Sequence, residues 1–192
     1  MVSALFNFGA APFDAFFPSL SERLAGLNAG GIGSAKALLA SLSLIVSATC
    51  AAPLQRRLGV VGACITGLSL SALGLAGVAA AASASLGGPL SSSARLALFW
   101  VACSVYQLGV PLYGPTVPTM LLQCVPRHRR GAMMGLDSSI NTVARIVSAP
   151  LLGALWHAGG PGACFATASA VMLLSAATTV IRRWWVLRDL YE

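Results

Sequence analysis

Six stretches of apolar residues run along the chain, near 2–20, 32–54, 58–84, 95–122, 131–156 and 161–182. Each is close to or above the roughly 20 residues that a helix needs to cross a bilayer. The breaks between them carry turn chemistry. Ser21 to Gly33 holds several glycines and Asn28; Gly87-Gly88-Pro89 is followed by Ser91-Ser92-Ser93; Gly159-Gly160-Pro161-Gly162 makes a third break. The pattern predicts an all-α membrane protein with six transmembrane helices. It forms one domain over residues 1–185, followed by a short tail, 186–192. The first span is the weakest, because Asn7, Pro12 and Asp14 interrupt it. The third is the clearest: Gly59 to Ala84 carries no charge, and its alanines and glycines suit close helix contact.

Composition agrees. Of 192 residues, 57% are hydrophobic and 9% charged, against about 25% charged in a soluble domain. A net charge of +7 invites a nucleic-acid reading, but the basic residues fall in short clusters between apolar runs, which is the footprint of membrane topology. No nucleic-acid partner is expected; the lipid bilayer is. Arg56, Arg57, Arg127, Arg129, Arg130, Arg182, Arg183 and Arg188 lie on one side of a six-span arrangement, and Arg23, Lys36 and Arg95 on the other. Eight against three puts the larger set, and with it both chain ends, in the cytoplasm. Trp184 and Trp185 follow the last span, at headgroup level. Residues 1–13 have no positive charge, so the N-terminus reads as a span rather than a cleavable signal. The membrane is the plasma membrane or an internal one. Cys50, Cys64, Cys103, Cys124 and Cys164 form no C-x-x-C pair and read as small hydrophobes. His128 and His157 lack neighbouring ligands, so neither a metal nor a cofactor is expected.

Several polar residues fall where lipid should be. Asp137, Asn141 and Arg145 sit at i, i+4 and i+8 and share a helix face. Arg145 lies about 21 Å along the helix from Gly131. An arginine at the bilayer centre costs about 2.5–3.5 kcal/mol on insertion scales. Two readings stay open for it: a buried bridge between helices, or a pathway residue. Asp14 is either a coupling acid or a carboxylate meeting water at the end of a short helix. In the fourth span Gln107 and Tyr113 accompany Pro111, Pro115 and Pro118. Each proline removes a backbone donor and bends the helix, giving a hinge at a cavity or a packing kink. Gly131 and Gly135 form a weak G-x-x-x-G contact motif.

Two stretches resemble the major facilitator superfamily of transporters. In Ala52-Pro-Leu-Gln-Arg-Arg-Leu-Gly59, the residues Leu54, Arg57 and Gly59 match its cytoplasmic G-x-L-x-D-R-x-G loop motif. Arg56 stands at the aspartate position and Ala52 at the leading glycine. From Val125 to Gly153, Pro-x-x-x-Arg-Arg-Gly-x-x-x-Gly and Ala-Arg-x-x-x-x-Pro-x-x-Gly look like helices ten and eleven of the drug–proton antiporter branch. The flavour is tetracycline-efflux-like and organic-cation-transporter-like. The resemblance covers the whole chain as the C-terminal half of that fold; the first six helices, and the antiporter motif of the fifth, have no counterpart here.

The resemblance implies transport of a small organic solute, with protons as a candidate coupling ion, by a transporter or half of one. Its partner would be a second six-helix half or a second copy. Asp14, Gln107, Tyr113, Asp137, Asn141 and Arg145 are the candidate pathway or coupling residues. The alternative is a truncated, transport-inactive fragment or isoform that associates with a full-length transporter. An intramembrane serine protease would need a G-x-S-x-G nucleophile and a mid-membrane His, and the sequence has neither; no enzymatic activity is expected.

Overall fold

The computed structural model describes residues 2–83 and 91–188. The chain is almost entirely helical, at 95%, and has no strand among the described residues. Helix α1 spans Val2–Ala25 and α2 spans Ala29–Val46. A π-turn, Ser47–Ala51, joins α2 to α3, Ala52–Ser83. Helix α4 is Ser92–Tyr113 and α5 is Thr116–Cys124. A short 3₁₀ turn, Arg127–Arg129, leads into α6, Arg130–Arg188. Among the described residues, three helical runs are long and apolar enough to cross a membrane: Ala29–Ser83, Ser92–Leu122 and Arg127–Ile181.

The breaks are tighter than the sequence predicts. The first connection contracts from residues 21–33 to a few residues, because α1 runs on to Ala25. Gly26 takes φ 62°, and its N–H donates to the Glu22 carbonyl at 2.9 Å, a left-handed helix stop. Asn28 then caps α2, its side chain accepting from Gly31 N at 2.8 Å, so Gly30, Gly31 and Gly33 enter the helix. Residues 55–57, expected between spans, are helical. The π-turn lies just before Pro53, whose ring clashes with a regular preceding turn. The helical course of α3 is instead interrupted at Gly59, with φ 73° and ψ 170°. Gly160 in α6 has almost the same angles, φ 73° and ψ −179°. Positive φ there strongly favours glycine. The Gly87-Gly88-Pro89 loop lies outside the described residues, as does the tail beyond Arg188; residues 186–188 continue α6.

At Gly160 the chain reverses. Ser3 meets Asp137, and further along α1 Phe16 stacks on Trp156 at 4.5 Å, so α1 runs parallel to the first part of α6. Beyond Gly160 the order inverts. Gly9 lies against Ala168 and Met172, while Ser175 Oγ donates to the Val2 carbonyl at 3.1 Å.

Small residues set the closest helix contact, as expected from the third span. Gly67, Ser71, Gly74 and Gly77 of α3 run antiparallel to Tyr113, Gly109, Tyr106 and Ala102 of α4. A Cβ at Gly67 would stand 2.8 Å from Tyr113 N. Ser169 Oγ ties α6 to this pair by donating to the Ala72 carbonyl at 2.8 Å. Around it pack Phe13 and Phe17 of α1, Leu68 and Leu75 of α3, Phe99 and Tyr106 of α4, and Phe165 and Met172 of α6, all buried. The outer surface is apolar too, with Leu38, Ile45, Leu73, Val101, Ile146 and Leu173 exposed. That distribution suits lipid as solvent.

Candidate functional site

The prolines of the fourth apolar segment interrupt its helix at Gly114 and Pro115, which keep right-handed helical angles, so the run Ser92–Leu122 continues through the break. Helix α4 stops at Tyr113, and α5 starts after Gly114 and Pro115. Pro115 and Pro118 supply no N–H, so backbone carbonyls near the break lack their usual partners. Threonine hydroxyls cover two nearby carbonyls: Thr116 Oγ1 donates to the Tyr113 carbonyl at 2.6 Å, and Thr119 Oγ1 to that of Pro115 at 2.8 Å. Pro111 lies inside α4 and is buried. Gly114, Val117 and Pro118 at the break line a cavity of about 220 Å³.

The opposite wall comes from the start of α1 and the first turns of α6. Asp137 is half-buried there, about 10 Å along α6 from Arg130. Its Oδ1 accepts from Ser3 Oγ at 2.6 Å, and its Oδ2 from Asn141 Nδ2 at 2.9 Å. Asn7 Nδ2 donates to the Ser3 carbonyl at 2.8 Å. Phe6 stacks on Tyr113 with ring centroids 3.8 Å apart. Tyr113 is only 5% exposed, yet its hydroxyl has no hydrogen-bond partner; neither has the buried Asn141 Oδ1. The carboxylate fixes the Asn141 amide, since the reverse orientation would set oxygen against oxygen.

Three of the expected pathway residues, Tyr113, Asp137 and Asn141, therefore share one cavity. Asp14, Gln107 and Arg145 do not line it. Asp14 and Arg145 are exposed, and neither makes a side-chain hydrogen bond or ion pair with a described residue. Both lie within electrostatic reach of Tyr106. Arg145 thus forms no bridge between helices among the described residues. Gln107 is half-buried on α4, and its side chain has no hydrogen bond to a described residue.

Ser3, Phe6 and Asn7 escaped the sequence reading as site residues. A signal existed: Ser3, Asn7 and Asp14 fall on one face of α1, as i, i+4 and i+11 do on any helix. In the loop motif, Arg56 and Arg57 are exposed and Leu54 is half-buried; Gly59 is the position where the helix breaks. A larger apolar groove of about 460 Å³ runs between α2 and α4, lined by Leu38, Leu42 and Trp100 among others, with no ionisable side chain. No family profile, no curated protein and no solved structure matches this chain.

Proposed function

We propose that the chain moves a small organic solute across a membrane, as a major facilitator transporter or half of one, with protons as a candidate coupling ion. The observation that carries this reading is the cavity at the Gly114–Pro115 break. There a carboxylate, two carboxamides and a tyrosine hydroxyl meet inside an otherwise apolar helical protein. Carbonyls freed by proline in a helix at membrane depth persist where protein or a watery cavity covers them, and intramembrane acids mark pathways by default.

Six crossings follow if the breaks at Gly59 and Gly160 divide their runs. The 55-residue run Ala29–Ser83, kept straight, would reach about 80 Å, far beyond a hydrocarbon core of about 30 Å. Adding α1 and the α4–α5 pair completes the set. The basic clusters then put both termini in the cytoplasm.

A second reading, that the chain acts only in company with another six-helix half or a second copy, is favoured by the first part of α6. Gly131, Gly135 and Gly153 there have open space around them, and Arg145 is exposed. The transport-inactive fragment that associates with a full-length transporter belongs to this reading. Reconstitution into liposomes tests both. Solute uptake that is lost in Asp137→Asn, at unchanged incorporation, supports transport. Incorporation without uptake of any organic solute, by the chain alone or with a partner half, counts against it.

A further inference from the structure

We propose that the cavity beside the α4–α5 break binds a monovalent cation, either as an alkali ion or as the ammonium group of a small solute. The chemistry of its walls selects the charge. Asp137 brings one carboxylate, and no basic residue lines the cavity. Ser3 Oγ and one N–H of Asn141 Nδ2 point at Asp137, and one N–H of Asn7 Nδ2 at the Ser3 carbonyl; the donors left over, a second N–H on each amide and the Tyr113 hydroxyl, are all neutral. Toward the interior the wall presents unpaired oxygens. Asn141 Oδ1 and the Tyr113 hydroxyl are buried with no partner, an arrangement that costs stability unless a ligand completes it. An anion would meet the Asp137 carboxylate with no cationic side chain among the lining residues to offset it. A divalent ion such as calcium wants six to eight oxygens, usually with more than one carboxylate.

The space fits the same class. A cavity of about 220 Å³ has the liquid volume of about seven waters, room for a hydrated alkali ion or a small amine. Phe6, Val110, Val117 and Pro118 provide apolar surface for the carbon part of an amine. Asp14, Tyr106 and Arg145 do not line the site. The inference depends on the transport reading only for the cation's role as cargo or coupling ion; binding is measured without a gradient.

The test is thermal unfolding of the purified chain, followed by tryptophan fluorescence at constant ionic strength set with magnesium chloride, a divalent ion that the single carboxylate does not suit. Sodium, potassium and methylammonium chlorides are titrated in turn. A saturable rise in the midpoint is expected, since a ligand that binds only the folded state stabilises it. A response to sodium or potassium alone identifies an alkali-ion site; a response to methylammonium alone identifies an ammonium subsite. Asp137→Asn should weaken the apparent affinity at least about tenfold. Tyr113→Phe removes only an unpartnered hydroxyl, so the variant should fold and should weaken affinity by a smaller factor. It carries the test if Asp137→Asn does not fold. No saturable shift with any of the three cations, or a shift unchanged in both variants, would overturn the proposal. Binding without uptake in liposomes would leave it standing and count against transport alone.

Discussion

Ser3 Oγ donates to Asp137 Oδ1 at 2.6 Å, joining the first turn of α1 to α6 across 134 positions of sequence. The bond is charge-assisted and lies in a half-buried site, where water competes poorly. Ser3→Ala should lower stability by about 1–2 kcal/mol, and Ser3→Thr should keep most of it. Unfolding in mixed micelles measures both. Equal stability of the Ala variant and the parent would mean that this contact does not anchor α1.

Two glycines at opposite extremes of packing should respond differently to substitution. At Gly74 a Cβ would collide with the Tyr106 backbone, while at Gly135 nothing lies within 4 Å. Gly74→Val should therefore cost about 1–3 kcal/mol or more through overpacking. Gly135→Val should leave the fold of the single chain intact. Monodispersity and thermal midpoint in detergent give the comparison. Equal losses at the two positions would contradict the packing described.

Helices and their apolar character were legible because hydropathy over about 20 residues reports solvent rather than neighbours. The small-residue seam of α3 was legible for a related reason, since Gly and Ala allow close approach whatever the partner. Break positions were less so. The glycines after Asn28 read as loop, yet a cap holds them in α2; Gly59 closes the loop motif and read as the start of the third span, and it is the break itself. In the site, Tyr113, Asp137 and Asn141 were legible as polar residues in apolar runs. Their separation from Arg145 was not, because helical phase places residues on a face but says nothing about what lies opposite. Ser3 was missed since a single serine in a helix usually bonds its own preceding turn, as Ser21 does with the Phe17 carbonyl here.

Topology is tested by tags. One at Glu192 and one within residues 125–130 should be cytoplasmic, and one at Gly88 should face the opposite side. The expectation rests on eight basic residues against three and on six crossings. Protease protection in sealed vesicles reads it directly. Finding the Gly88 and Glu192 tags on the same side would sink the six-span reading.

Arg145 is exposed and without a described partner, deep along α6 and within electrostatic reach of Tyr106. In a transport-competent assembly, Arg145→Ala should reduce uptake about tenfold or more while insertion is unchanged or slightly better, because the desolvation cost of the charge is removed. Arg145→Lys should restore uptake only in part, since an ammonium lacks the planar fork of donors. Full uptake by the Ala variant would leave the arginine without a role in the pathway.

The same residue bears on whether the chain works alone. Along α6, Gly131, Gly135, Ser138, Thr142, Arg145, Ala149 and Gly153 recur at intervals of three or four and so share a face. The three glycines have no neighbour within 4 Å, and the other four residues are exposed. A face of small residues with an arginine in it is poorly matched to lipid: the charge costs about 2.5–3.5 kcal/mol at the bilayer centre, and small residues make little contact with acyl chains. Both costs fall when another helix or a watery interface covers the face, and small residues let such a helix approach closely. Many transporters place their pathway between two repeats of this size. The chain should therefore elute from detergent as a dimer, or as a complex with a separate six-helix half. Gly135→Leu should shift it toward monomer without unfolding it, since the site is open within one chain. Size-exclusion with light scattering decides. A stable monomer that accumulates solute in liposomes would refute the dependence on a partner, and a dimer unaffected by Gly135→Leu would move the interface to another face.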